Sequence, residues 1–165
     1  MGNIIALSKL VQSTLNDNIV DPFPAGNTRR GPHFFIESDE INLTRRDTFP
    51  KGYVRPAPPI SNNVKGNIGR TGWIKKYATL DIFYYAKEDG SYKDGDGIIY
   101  KNQDLCSYML NQIETILLNN RFAGYYLSEN AFGTQVQPRI ASQGSFKLYY
   151  GVIPVTFYWS EKYGN

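Results

Sequence analysis

Cysteine and histidine are nearly missing from this chain of 165 residues: Cys106 and His33 are the sole examples of each. A lone cysteine excludes an internal disulfide framework. One cysteine and one histidine also fall short of a structural zinc site, which takes about four such ligands. A Cys–His nucleophile pair is open to these two residues alone, and nothing local to either supplies the partner a general base needs. No apolar run reaches the ~20 residues of a membrane-spanning helix, so no transmembrane helix and no membrane partner are expected. Residues 1–10 lack a basic start, and Lys9 follows the apolar residues where a secretion signal would place it before them. Ala6 stands where an N-myristoylation motif takes Ser or Thr. Charge of one sign is scarce too, since 18 Lys and Arg against 15 Asp and Glu leave a net charge of only +3. Dedicated nucleic-acid binders carry a strong basic face, so contact with a polyanion is allowed here but not demanded.

What the chain does have is aromatic residues. Phe, Trp and Tyr make up 15%, the hydrophobic fraction is 41%, and charged residues reach only 20%. That composition is opposite to the disordered class, which is poor in aromatic and β-branched residues. The length predicts one domain with a real hydrophobic core. The charge is patchy: residues 61–87 hold five basic residues against Asp81, a net of +4, and residues 88–103 hold two against four acids, a net of −2.

Ile4, Leu7, Val11 and Leu15 recur at helical steps, with Leu10 beside them and Ser8, Lys9, Gln12, Ser13 and Asn16 on the other side. This predicts an amphipathic helix from Ile4 to Asn18, ended by Asn16-Asp17-Asn18 and then Pro22 and Pro24. Residues 21–72 are rich in proline and glycine. Two short strands are expected there, His33–Glu37 and Tyr53–Arg55, with a turn or helical turn over 38–43. The second strand is stopped by Pro56-Ala57-Pro58-Pro59, because proline donates no ladder hydrogen bond. Residues 56–72 then read as a long loop, and structureless loops beyond ~12–15 residues are usually functional or disordered.

Trp73–Ala86 is the clearest strand. Ile74, Ala78, Leu80, Ile82, Tyr84 and Ala86 alternate with a mixed polar and aromatic set. Residues 88–97 read as a turn by composition, and Ile98–Tyr100 as a short strand or a lead into the next helix. That helix is expected over Asp104–Asn120, with Leu105, Met109, Ile113, Ile116 and Leu117 on one stripe and Leu110 beside it. Asn102 or Asp104 can cap its start, and Arg121 suits its negative end. Gly124–Ser128 and Thr134–Ile140 are weak strand candidates. Phe146–Trp159 is a strong one, apolar on both faces, in which Pro154 suggests a sheet edge or a bulge. The order of elements predicts an α+β fold, one domain over 1–165, with a mostly antiparallel sheet, two main helices packed on one face, and long loops.

Several features invite chemistry. Gly66–Gly72 is glycine-rich but precedes a strand, whereas a dinucleotide fingerprint follows one. Asp94-Gly95-Asp96-Gly97 misses the EF-hand spacing and reads as a hairpin loop. Cys106 lies beside the apolar stripe of the second helix and reads as a small buried hydrophobe, and His33 as structural or surface. No catalytic residue, metal ligand or cofactor is expected, since no acid, base and nucleophile set can be assembled. The informative group is Trp73, Tyr77, Phe83 and Tyr85 on the less aliphatic face of the central strand, with Asp81 between them. Such a face suits a protein–protein surface, or else a helix or the long loop covers it. Arg70, Lys75, Tyr53 and Arg55 join it as candidate subunit or partner contacts. Arg29, Arg30, Arg45 and Arg46 are candidate contacts to DNA or an acidic partner.

The N-terminal helix, the segment Asp47–Pro56, the strand Thr79–Tyr85, the helix Asp104–Asn120 and the last strand Leu148–Trp159 together resemble the tail terminator (tail completion) proteins of long-tailed bacteriophages. The likeness covers most of the chain in the order and style of its elements. It implies a small α+β virion protein, assembled in the host cytoplasm, that forms a homo-oligomeric ring, usually of six. Such a ring caps the tail tube protein, stops tube polymerisation and joins the tail to a head-side connector or stopper protein, while double-stranded DNA passes through the hole without sequence-specific contact. Two other readings stand beside it. One is a head–tail adaptor or stopper of the neck. The other is a nucleic-acid-binding module using Arg29, Arg30, Lys75, Lys76, Trp73 and Tyr77.

Overall fold

The computed structural model describes residues 3–22, 32–36, 49–57, 72–88, 91–135, 141–143 and 146–162, with the backbone alone at 141–143 and 146. In chain order the elements are α1 (Ile4–Asn18), β1 (Phe34–Ile36), β2 (Lys51–Pro56), β3 (Trp73–Lys87), β4 (Ser91–Lys93), β5 (Ile99–Lys101), α2 (Asn102–Asn119), β6 (Tyr126–Phe132), β7 (Ala141–Gln143) and β8 (Phe146–Lys162). The expected α+β class, with a mostly antiparallel sheet, is what forms. The turn and loop expected at 38–43 and over most of 56–72, with Arg29, Arg30, Arg45, Arg46, Arg70 and Gly66–Gly69, lie outside the described residues.

The sheet is built on β3 and β8. All 15 residues of β3 pair antiparallel with β8, from Trp73 opposite Lys162 to Lys87 opposite Leu148. The strand order is β1-β2-β3-β8-β6, with β7 on the far end of β8, and only β1 and β2 run parallel. Alternation along β3 sends Ala78, Leu80, Ile82, Tyr84 and Ala86 to one face. There they meet Leu7, Val11 and Leu15 of α1 and Leu105, Cys106, Met109, Leu110, Ile113 and Leu117 of α2 in one buried cluster. Each fully buried Leu or Ile side chain contributes roughly 1.5–3 kcal/mol of transfer free energy.

Helix α1 starts at Asn3, whose side chain accepts from the Ala6 N–H at 2.7 Å. The Tyr125 hydroxyl clamps the same residue, accepting from the Asn3 N–H at 2.8 Å and donating to the Asn3 carbonyl at 2.9 Å. Ser8, expected on the polar side, is buried and donates to the Ile4 carbonyl. Gln12 and Asn16 are polar for a specific reason. Asn16 accepts from the Phe34 N–H at 2.8 Å, and the Gln12 and Asn16 amides donate to the Phe34 carbonyl at 3.0 and 3.1 Å. Strand β1 is a sheet edge, and these amides satisfy backbone groups that a further strand would otherwise take.

Four expectations are corrected. Residues 88–97 are not all turn, because Ser91–Lys93 pairs with Ile99–Lys101 as a hairpin. Its loop is held by Asp94, whose carboxylate accepts from the N–H groups of Asp96 and Ile98 and from the Tyr100 hydroxyl. Neither Asn102 nor Asp104 caps α2, which starts two residues earlier than expected. Lys101 stands at the N-cap with no side-chain bond, and Asn102 adopts φ 53°, a left-handed conformation that asparagine tolerates better than most residues. Thr134 and Gln135 form no strand, and residues 136–140 lie outside the described set. Finally, β8 is interior rather than at an edge. Pro154 lies just beyond the register shift, which falls between the Leu127–Phe157 and Phe132–Val155 pairs, and its carbonyl accepts from the Gly133 N–H at 2.8 Å. Its missing donor therefore faces the end of β6, past the last paired residue Phe132, where no ladder bond is needed.

Gly151 brings α2 close to the sheet. A Cβ there would lie 2.5 Å from Leu110 Cδ1 in the sealed core. Gly151→Val is expected to lower stability by about 2–3 kcal/mol, as overpacking does, read as a shift of the urea denaturation midpoint at unchanged slope.

Candidate interaction surface

The opposite face of the sheet carries no helix among the described residues. It receives Trp73, Lys75, Tyr77, Thr79, Asp81, Phe83 and Tyr85 from β3, and directly opposite them Lys162, Ser160, Tyr158, Thr156, Pro154, Val152 and Tyr150 from β8. Lys51, Tyr53 and Arg55 of β2 and Phe35 of β1 extend the row on one side, and Tyr126 of β6 on the other. All the expected contact residues that the structure describes thus lie on one surface.

That surface has two ends of different character. At one end Phe49, Tyr53, Tyr85 and Leu148 form a second buried cluster, with Phe35, Phe83 and Tyr150 half-buried around it. Tyr85 stacks on Tyr150 at 5.4 Å and on Phe83 at 6.2 Å, and meets Tyr53 edge-on at 5.9 Å. Such pairs contribute about 0.5–1.5 kcal/mol each beyond their buried area. Burial pushes the Tyr53 phenol above its ordinary pKa. Tyr53 and Tyr85 are therefore interior residues of this chain, not contacts open to a partner.

At the other end Trp73 is 52% exposed and Tyr126 57% exposed. Tyr126 stacks on Tyr158 at 5.4 Å, and Tyr77 lies 5.9 Å from the same ring. Lys75 holds its ammonium 5.0 Å from the Tyr158 ring. Between the two ends the side chains are short. The Thr79 and Thr156 hydroxyls share a hydrogen bond at 2.8 Å, and Pro154 sits opposite Asp81.

Cations on this face lie against rings. The Arg55 guanidinium sits 4.5 Å from the Phe83 centroid and 3.6 Å from Asp81, and the buried Lys51 ammonium sits 4.3 Å from the Phe49 ring. Cation–ring contacts of this kind contribute roughly 0.5–2 kcal/mol. Lys51, Phe49, Tyr126 and the β8 row escaped the sequence reading. The period-two alternation of Tyr150, Val152, Pro154, Thr156 and Tyr158 was the signal for the last of these.

The pair Lys75–Lys76 is split by the pleat. Lys76 points to the helix side and pairs with Glu161. The Lys76 hydrogen bond, aided by one from the Trp159 indole N–H at 3.0 Å, holds the Glu161 carboxyl below its ordinary pKa. The basic set drawn for nucleic-acid binding is thus divided between two faces.

His33 and Cys106 lie apart and are both buried. His33 is buried, with Nε2 2.8 Å from the Tyr84 hydroxyl and its ring edge-on to Tyr84. Cys106 is fully buried under α2, and burial pushes its thiol up to about 12. Among the described residues no three His, Cys, Asp or Glu side chains gather to hold a metal ion, and no described helix is long and apolar enough to cross a membrane. The chain matches no protein-family model and no curated protein.

The two ends respond differently to truncation. Tyr85→Ala is expected to cost about 3–5 kcal/mol of folding stability, as for other buried aromatics, whereas Trp73→Ala changes it by about 0.5 kcal/mol or less; chemical denaturation of both variants reads the contrast. The native Cys106 thiol is expected to resist a thiol reagent near neutral pH, because the thiolate is the nucleophile, and to react fully once the chain is unfolded in guanidinium.

Proposed function

We propose that this chain is a structural subunit that closes into a ring with copies of itself at the head-proximal end of a phage tail tube, where it ends tube growth and joins the tail to the head connector. The observation that carries the reading is the unsheltered half of the sheet face. Trp73, Tyr77, Tyr126 and Tyr158 stand beside Lys75 and Arg55 on a rigid ladder whose other side is already sealed by α1 and α2. Interface centres are enriched in aromatic residues and arginine and depleted in other charges. A surface built this way suits docking. A ring requires heterologous contacts that close, and the α+β scaffold supplies different surfaces on its two sides. The likeness in element order to tail terminators gives the ring its place in the virion, with the tube protein on one side, a connector or stopper on the other, and duplex DNA through the opening.

Multi-angle light scattering of the concentrated protein, alone and with purified tail tubes, tests this. The expected result is a discrete multimer, or a monomer that binds tube ends and assembles there. A strict monomer at every concentration that also ignores the tubes overturns it.

A further inference from the structure

We propose that the β4–β5 hairpin of one copy docks, tip first, onto the aromatic sheet face of the next, with Ile98 and Ile99 seated over the Thr79–Thr156 pair. This rests on the ring reading and names the surfaces that meet. Ile98 is 53% exposed and Ile99 59% exposed, side by side on a hairpin of few residues. The hairpin is stiff. Asp94 ties its loop through two backbone N–H groups and the Tyr100 hydroxyl, Tyr100 stacks on Tyr108 of α2 at 4.2 Å, and Tyr92 lies 5.7 Å from Tyr108. A preorganised apolar tip loses little conformational entropy on docking.

The receiving surface matches in shape and charge. Thr79, Thr156, Asp81 and Pro154 form a low saddle between the taller Tyr77–Tyr158 pair and the Phe83–Val152 pair. The hairpin, residues 91–101, is neutral overall, but its turn carries Asp94 and Asp96 with no basic residue between them, while Lys93 and Lys101 stand on its strands. The sheet face holds Lys51, Arg55, Lys75, Lys87 and Lys162 against Asp81, a net of +4. The hairpin is anchored on α2, in the helix layer, while the saddle is on the other side of the sheet. One copy cannot fill its own saddle, and two copies that meet this way each keep one unused surface. That is the head-to-tail geometry from which rings close.

The test uses Ile98→Cys and Thr156→Cys, made separately in the full chain and treated with a short bismaleimide under the conditions in which the wild type assembles. The buried Cys106 leaves the background silent. Mixing the two single variants is expected to give covalent dimers and nothing larger, the double variant a ladder, and either single variant alone no product. Ile98→Asp combined with Ile99→Asp, both at exposed positions, is expected to raise the concentration needed for assembly about tenfold or more, as loss of a central apolar anchor does. Wild-type assembly without cross-linking in the mixture, and unmoved by the aspartates, overturns the hairpin contact and leaves the ring standing. Cross-linking of Ile98→Cys with itself replaces the head-to-tail contact by a two-fold one and also overturns the proposal. A wild type that never assembles removes both readings together.

Discussion

Pairing of β3 with β8 along all 15 residues of β3 is the constraint on which the rest of the molecule depends. Once that ladder is in register, the two-residue period of a strand assigns every side chain to one face or the other, and a slip by one residue would exchange the faces. Leu80, Ile82 and Tyr84, with Ile153, Val155 and Phe157, then have one destination, under α1 and α2. Tyr77, Phe83 and Tyr85, with Tyr150 and Tyr158, have the other. The aromatic face is the second product of the register that builds the core.

Among the described residues the aromatic face is also what the fold leaves uncovered. The β1 edge is occupied by the amides of Gln12 and Asn16. The helix side is sealed, and at one end of the aromatic face Phe49 and Leu148 close over Tyr53 and Tyr85. What remains is a strip of rings and cations on a stiff base. The Arg55 guanidinium lies over the Phe83 ring, and the Lys75 ammonium, though its residue is exposed, lies near the Tyr158 ring.

The fold was legible where the hydrophobic period was long. β3, β8, α1 and α2 could be read because each presents several turns or alternations of one pattern, and their observed limits lie close to the expected ones. The short strands β1 and β2 form close to where they were expected, but not every short element carried enough periods. Ser91–Lys93 was hidden in a stretch whose Asp and Gly content signals a turn, because three residues of strand cannot outweigh it. The start of α2 was misplaced because no cap signal exists there: a left-handed Asn102 does the turning, which composition does not reveal. The candidate surface was half legible. The β3 alternation brought Trp73, Lys75, Tyr77, Phe83 and Tyr85 together, but which rings are interior depends on Phe49 and Leu148, far apart in sequence. The opposite destinations of Lys75 and Lys76 follow from the pleat alone.

At Lys101–Asn102 the second strand of the hairpin becomes α2 with no intervening linker, through one residue of unusual backbone conformation. From there Leu110 presses on Gly151, two residues before Ile153 in the strand that also carries Tyr150 and Tyr158. The route from hairpin tip to sheet therefore contains no slack on its helical side. The direction of the tip is therefore set by how α2 seats on the sheet, since no loop separates β5 from the helix.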